Sequence, residues 1–424
     1  MKKILIITYY WPPKGGVGVQ RWLKLSKYLA KESCELIIYT SDGGEVPLVD
    51  TTLLESVSSK IKVIKISIFE PQKILKLFSH SKPSSDILIK KKPTFLENFF
   101  IFLRANLFVP DSRSLWINKS VSFLDNYLRN NSIDVVISTG PPHSMHIIAN
   151  HLKQKYNFNW IADFRDPWTN IEYFDTLPLL SCVKKKHQKL EKKIICNADV
   201  IMSVSSSWAK SFEQMGAKRT FVLPNGYDPD DYQLSVKKSR LEDFKIGHFG
   251  LYNELRDHSI FWTTINELIK TQPNFKSNLS FFFAGETYTH FLENIKSYDL
   301  FENFEYFPYL NHSDTIQNML QCDLLLITQG STKSVLGRIP AKVFEYLKAR
   351  KPILVIGKKN SDLDKLLSNI SYAWFIDFNQ PQLLKDAILE IYNLRTLNHT
   401  FDDDISCFSR VSHAKKIIEL INDL

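Results

Sequence analysis

Residues 337–354 read Gly-Arg-Ile-Pro-Ala-Lys-Val-Phe-Glu-Tyr-Leu-Lys-Ala-Arg-Lys-Pro-Ile-Leu. This predicts a short helix entered through Pro340, ended near Arg350 and followed by a buried strand. Proline at a first helical position is pre-set in φ and lacks an N–H that would have no partner there. Ile339 offers no side-chain cap, which leaves the first-turn amides to other acceptors. With Arg338 and Lys342 alongside, such a helix start suits a phosphate. Glu345 lies three residues beyond Lys342 on the same face, where a carboxylate can take ribose hydroxyls. The competing reading is an ordinary amphipathic helix with solvated Lys342 and Glu345.

Further candidates sit where apolar runs end, the edge at which parallel sheets bind ligands. Gly15 and Gly16, in the loop after the first run, allow close backbone approach. The stretch from Gly16 to Arg21 lacks the last glycine of a dinucleotide fingerprint and no Gly-Lys-Ser/Thr follows, so it matches neither that motif nor a P-loop. His143, in Gly-Pro-Pro-His, is placed to hold an acceptor hydroxyl or a phosphate, or is a loop histidine without a role. Asp163, Arg165 and Asp166 come together with Trp168, which could stack on a sugar; the alternative is an Arg–carboxylate knot that fixes the loop. Gly250 followed by Arg256 can present a diphosphate clamp. Glu286 closes the next run, and residues 328–333 form a polar loop feeding the 337–354 segment. No metal-ligand set and no Ser/His/Asp or Cys/His nucleophile set stands out. Asp402, Asp403 and Asp404 read as surface charge in a helical context.

The 424 residues carry a formal charge of +9, which points to an anionic partner such as a nucleotide, a nucleic acid or a membrane face. A merely lysine-rich surface is the alternative. The five cysteines are scattered and contain no Cys-x-x-Cys pair, as expected of reduced thiols in a cytosol. The start, Met-Lys-Lys-Ile-Leu-Ile-Ile, is too short an apolar run for a signal peptide and reads as a first strand. No window reaches transmembrane length; 95–109 comes nearest, interrupted by Glu97, Asn98, Arg104 and Asn106.

Short apolar strands alternating with helical patterns must position these residues. The strands are expected at 4–8, 36–40, 61–66, 134–139, 160–163, 200–204, 221–223, 245–249, 280–284, 304–307, 324–328, 353–356 and 373–376. Such alternation indicates βαβ units, and thirteen strands suit two doubly wound domains better than one sheet. The turn-rich stretch from Leu223 to Asp230 marks the boundary. One atypical region, 69–113, interleaves Lys73, Lys76, Lys82, Lys90, Lys91 and Lys92 with Phe95, Phe99, Phe100, Phe102 and Phe108.

Taken in order, Pro12-Pro-x-Gly-Gly16, Phe108-x-Pro-Asp…Trp116, Gly140-Pro-Pro-His143, Asp163-Phe-Arg-Asp-Pro-Trp168, Asn197-Ala-Asp199, Ser203-Val-Ser205, Pro224-Asn-Gly-Tyr-Asp228 and Pro340-Ala-Lys-Val-Phe-Glu-Tyr-Leu347 resemble bacterial family-4 glycosyltransferases. The resemblance implies an α/β GT-B fold: two Rossmann-like doubly wound domains facing across a cleft, with a C-terminal helix returning to the N-terminal domain. Carried onto this chain, 1–223 with 409–424 would bind the acceptor and 224–408 the nucleotide-sugar. The activity implied is retaining, metal-independent sugar transfer to a glycan or lipid-linked acceptor in surface polysaccharide or lipopolysaccharide synthesis. Gly15 and Gly16 would approach the diphosphate, Arg256 and Lys342 would neutralise it, and Glu345 would hold the ribose. Tyr309 and Leu310 would contact the base; Arg165 and Asp166 would sit near the reacting sugar or acceptor.

The family often carries two glutamates eight residues apart. Here the second is Glu345 and the first position is Gly337, which leaves Arg338 or Glu286 to compensate. No cofactor and no nucleic acid is expected. The basic, aromatic region 73–108 would meet an anionic membrane, giving a cytoplasmic enzyme peripheral to the inner face of the plasma membrane. The rival readings are a sugar-nucleotide epimerase of similar fold and a non-catalytic nucleotide-binding partner subunit.

Overall fold

The structure, a computed structural model, describes residues 1–44, 48–70, 95–232, 243–395, 397 and 400–424. All thirteen expected strands are present, and they divide into parallel sheets of seven and six. The chain separates into two compact units, one running from Met1 to Asn225 and taking back Arg410–Leu424, the other spanning Gly226–Ser409.

The first unit holds β1 (Lys2–Ile7), β2 (Cys34–Asp42), β3 (Lys62–Ser67), β4 (Val135–Gly140), β5 (Asn159–Phe164), β6 (Val200–Ser203) and β7 (Thr220–Val222) in the order 3-2-1-4-5-6-7. Its principal helices are α1 (Val17–Leu29), α2 (Phe95–Leu107), α3 (Ser114–Asn130), α4 (Ser144–Lys153), α5 (Ser181–Asn197) and α6 (Ser206–Gln214). Successive strand residues face opposite sides. Leu5, Ile7 and Val136 pack with Leu124 of α3 and Ile148 of α4. Ile4, Ile6 and Val135 pack with Trp22 and Leu23 of α1. The C-terminal helix Arg410–Asn422 adds Ala414, Ile417, Leu420 and Ile421 to that second face and packs on α1.

The second unit holds β8 (Phe244–Phe249), β9 (Leu279–Ala284), β10 (Phe304–Phe307), β11 (Leu324–Thr328), β12 (Ile353–Ile356) and β13 (Ala373–Ile376) in the order 10-9-8-11-12-13. Its principal helices are α7 (Ser259–Thr271), α8 (His312–Gln321), α9 (Lys342–Ala349) and α10 (Pro381–Leu394). Phe281 and Phe283 belong to one core layer and Phe282 to the other, the same period of two. In each sheet the winding direction reverses once, between β1 and β4 and between β8 and β11. Crevices open beyond the strand ends at such reversals.

Two expectations need correction or restriction. Asp402, Asp403 and Asp404 are not helical. Asp403 accepts from the Ser371 amide and hydroxyl at 3.1 and 2.6 Å, and Asp404 accepts from the Ser406 amide at 2.8 Å. The lysines at 73, 76, 82, 90, 91 and 92 lie outside the described residues.

Candidate functional site

In the second unit the loops leaving β8 and β11 meet at the reversal. β8 ends in His248 and Phe249, and Gly250 turns the chain with φ +93, a region open to glycine at little cost. The turn is pinned by its own main chain: the Gly250 amide donates to Ala284 O at 2.6 Å and the Tyr252 amide to Glu286 O at 2.9 Å. Asp257 is the hub of the loop, accepting from Tyr252 Oη at 3.0 Å, from Trp262 Nε1 at 2.6 Å and from Tyr288 Oη. Arg256 is held by its Nη1 donating to Leu251 O at 2.8 Å.

The β11 loop is tied to the β8 loop by His258 Nε2, 2.7 Å from Gln329 O. Gln329, 1% exposed, uses both ends of its amide: Nε2 donates to Arg338 O at 3.0 Å and Oε1 accepts from the Lys358 amide at 3.1 Å. That fixes the approach to α9. A cavity of about 640 Å³ opens here, its lining including Asp257, His258, Ser259, Ser331, Phe378 and Asn379.

Helix α9 delivers the side chains expected from the sequence, with one difference. The amides of Val343 and Phe344 are taken by the carbonyls of Pro340 and Ala341, at 3.1 and 3.3 Å, in a tight first turn. These two amides are therefore already engaged, unlike the unclaimed first-turn amides expected from the sequence. Lys342, partly buried, places Nζ 2.6 Å from His248 Nε2. Burial, then the Arg256 charge, push the Lys342 ammonium well below the usual lysine value, while Glu345 draws it back up. Burial, then Lys342 and Arg256, likewise hold His248 well below the usual histidine value, so its ring is neutral. The Phe249 amide donates to Tyr346 Oη at 3.0 Å, which locks α9 to the end of β8. Glu286 is exposed after β9, and Tyr309, 46% exposed, follows β10 with Leu310 half-buried beside the core. Gly250, Arg256, Glu286, Tyr309, Leu310, Arg338, Lys342 and Glu345 thus all lie toward the strand-end edge of this sheet.

The first unit treats its candidates differently. Gly16 caps α1 with φ +88, and the Gly15 amide donates to Leu48 O at 3.0 Å. Asp163 is fully buried and pairs with Arg21, not with Arg165: Arg21 Nη2 and Nε reach its two oxygens at 3.0 and 3.2 Å. Trp22 Nε1 and Thr139 Oγ1 also donate to it, at 2.7 and 2.8 Å. Arg165 sends Nε to Gly140 O at 3.2 Å, Nη1 to Gly18 O at 3.1 Å and Nη2 to Pro141 O. Its fork is committed to main-chain carbonyls, so Arg165 staples the loops after β4 and β5 to α1. Asp166, beside it, is partly buried.

His143 and Trp168 are both buried and pack against each other. His143 is 4% and Trp168 2% exposed, and their rings stack on each other with centroids 4.8 Å apart and planes 3° apart. Neither nitrogen of His143 has a hydrogen-bond partner among the described residues. At the next residue Asp111, from the Phe-x-Pro-Asp motif, caps α4 by accepting from the Ser144 amide and hydroxyl at 2.9 and 2.8 Å. Trp168 Nε1 donates to His187 Nδ1 at 3.0 Å.

His248, Asp257 and Gln329 are residues of this candidate site that the sequence did not single out. Each has a partner distant in the chain: Lys342 for His248, Tyr288 for Asp257 and His258 for Gln329. Among the described residues no group of three or more His, Cys, Asp or Glu side chains is arranged to hold a metal ion. No helix of the described residues is long and apolar enough to cross a membrane.

No family model matches the chain, and no curated protein matches it. Solved structures do. A sucrose-phosphate synthase from Thermosynechococcus elongatus superposes with a TM-score of 0.62 at 12% identity, over 100% of this chain and 99% of that one. WaaG, a glycosyltransferase involved in lipopolysaccharide biosynthesis, gives 0.53 at 12% identity over 99% and 95%. A candidate UDP-N-acetylglucosamine 2-epimerase from Listeria monocytogenes gives 0.56 at 12% identity over 100% and 96%. At this identity the likeness speaks to architecture, and the architecture is the GT-B fold.

Proposed function

We propose that this chain is a glycosyltransferase of the family-4 kind, moving a sugar with retention from a nucleotide-sugar donor to a glycan or lipid-linked acceptor. The observation that carries the reading is the cluster at the β8–β11 reversal, where Arg256, the Lys342–His248 pair and Glu345 gather around the Gly250 turn. A departing nucleoside diphosphate carries negative charge away, so the site must above all offer preorganised positive charge. Arg256 and Lys342 supply it from two elements that Asp257, Gln329 and Tyr346 hold in place. Cationic side chains, rather than a divalent ion, are proposed to do this neutralisation.

Glu345 is the proposed ribose ligand, and Tyr309 and Leu310 the proposed base contacts. Glu286 or Arg338 is proposed to stand in for the glutamate absent at Gly337. Gly15 and Gly16 stay proposed diphosphate contacts, and Asp166 a proposed acceptor-side group. The unit Gly226–Ser409 is read as donor-binding and the other as acceptor-binding. The sugar-transfer activities named for sucrose-phosphate synthase and WaaG agree with this reading, and surface polysaccharide or lipopolysaccharide is the proposed product class. The likeness to a candidate epimerase keeps that activity as the second reading.

A cytoplasmic enzyme peripheral to an anionic membrane is also proposed, and two neighbouring elements support it. Helix α2 leaves Phe99 49% and Leu107 68% exposed. Its Asn106 is bonded both ways to the segment that opens α5, Nδ2 to Pro178 O and Oδ1 from the Leu180 amide, each at 2.8 Å. Helix α5 then exposes Lys184, Lys185, Lys186, Lys189, Lys192 and Lys193. Apolar wedges beside a lysine face suit an anionic leaflet.

The test is release of nucleoside diphosphate from UDP-, GDP- and ADP-sugars with and without crude bacterial lipid. Release that requires the lipid supports transfer. Conversion of the nucleotide-sugar without any acceptor would favour the epimerase.

A further inference from the structure

The 2.6 Å contact between Lys342 Nζ and His248 Nε2 joins residues 94 positions apart. Opposite a diphosphate, whose negative charge favours the protonated amine, Lys342 is an ammonium with donors only, so Nε2 is the acceptor and the imidazole carries its proton on Nδ1. The ring cannot swing away. His248 is 1% exposed at the end of β8 and packs on Tyr252 and Phe283, with centroids 4.9 and 5.1 Å distant. Lysine, by contrast, is a point charge on a flexible stem that samples many rotamers unless held.

The chemical type of the holder matters. A carboxylate in this place would fix the ammonium but cancel its charge. A neutral imidazole fixes it and leaves the charge to be used. Arg256 and Glu345 are the charged groups whose fields reach Lys342, one repelling and one attracting it. Tyr346, fully buried on the same helix, is engaged with the Phe249 amide.

We propose that His248 is a positioning residue for diphosphate recognition: its neutral ring accepts one N–H of Lys342 and aims the remaining two at the crevice between β8 and β11. This rests on the donor-site reading above. His248 touches no substrate in this scheme; it acts through Lys342.

The test is a double-mutant cycle read by calorimetric titration with UDP, with ADP and GDP run in parallel. His248→Gln keeps an acceptor on a flexible stem, and His248→Met removes it at similar size. The expected result is roughly tenfold weaker binding for His248→Met, the loss of one hydrogen bond to a charged group. His248→Gln should stay close to the unmutated protein. On a Lys342→Met background, His248→Met should have no further effect. The proposal is overturned if His248→Met binds as well as His248→Gln, or if its full effect persists without Lys342. Melting curves on all variants separate loss of fold from loss of affinity. If the unmutated protein binds none of the three diphosphates, the donor-site reading itself fails, and this proposal with it.

Discussion

A side chain on Gly285 would collide with the main chain of Gly250: an added Cβ would lie 2.5 Å from the Gly250 carbonyl oxygen and 2.8 Å from its Cα. Gly285 also has φ +135, which L side chains rarely adopt. The end of β9 therefore sets the position of the turn that carries Arg256. Gly285→Ala should lower stability by about 1–3 kcal/mol, read as an earlier urea midpoint, and weaken nucleotide binding as Gly250 shifts. Unchanged stability and binding would show that the two turns are not coupled.

Arg21 and Asp163 are both buried, at 1% and 0% exposure, and Arg21 also donates to the Leu223 and Pro224 carbonyls at 2.9 and 3.0 Å. Removing one partner strands the other charge. Arg21→Ala should cost about 3–5 kcal/mol, measured by denaturant unfolding. Burial alone would raise the Asp163 pKa, but Arg21, Arg165 and Trp22 outweigh it and the net shift is downward. A lowered carboxyl pKa stabilises above the unfolded-state value near 4 and loses that contribution as the pH falls below it. The Arg21→Ala protein should show less of this acid dependence.

The buried histidines give a separate pH signature. Burial, with His146 and Arg165 nearby, holds His143 well below the usual value, and burial lowers His146 to about 3. The unfolded chain takes up these protons near pH 6.5 and the folded chain does not. Stability should therefore be full above about pH 6.5 and fall below it, by about 1.4 kcal/mol per pH unit for each histidine. Because both nitrogens of His143 lack partners, His143→Phe should keep the stack on Trp168, flatten part of this slope and leave activity intact. Loss of activity with an intact fold would instead restore His143 as an acceptor-side residue.

Reversing three charges on α5, Lys185→Glu, Lys189→Glu and Lys192→Glu, should abolish co-sedimentation with vesicles containing anionic lipid at low salt. Each lysine near such a surface contributes about 1 kcal/mol. Equal binding by the variant, or no binding by the unmutated protein, would remove the membrane from the account.

The strands were legible because each is a short apolar run bounded by turn residues, and runs such as 4–7 and 281–283 cannot bury a helix-sized face. Their division into two sheets follows from how many strands one sheet carries. Helix α9 was legible from Pro340 and the periodicity after it, although its first-turn amides turned out to be engaged. The Asp163–Trp168 stretch is not legible in detail from sequence because its partners are main-chain carbonyls and Arg21, 142 residues away, which no local pattern reveals. His143 reads from sequence as a ligand-holding or roleless loop residue; its burial against Trp168, 25 positions on, is a tertiary contact that no local pattern shows. In the first unit the bonds of Asp163, Arg165 and Asp111 thus tie loops and helices together, a role that local spacing does not reveal.

The central claim is a nucleotide site built on Arg256, Lys342 and Glu345. The most direct test is a thermal-shift and titration panel of UDP-, GDP-, ADP- and CMP-sugars in EDTA, comparing the unmutated protein with Glu345→Ala and Arg256→Ala. The account predicts a selective shift for one base that survives EDTA, a markedly weaker response in both variants, and unchanged melting of the free variants. No shift with any nucleotide, or variants that respond like the unmutated protein, would contradict it.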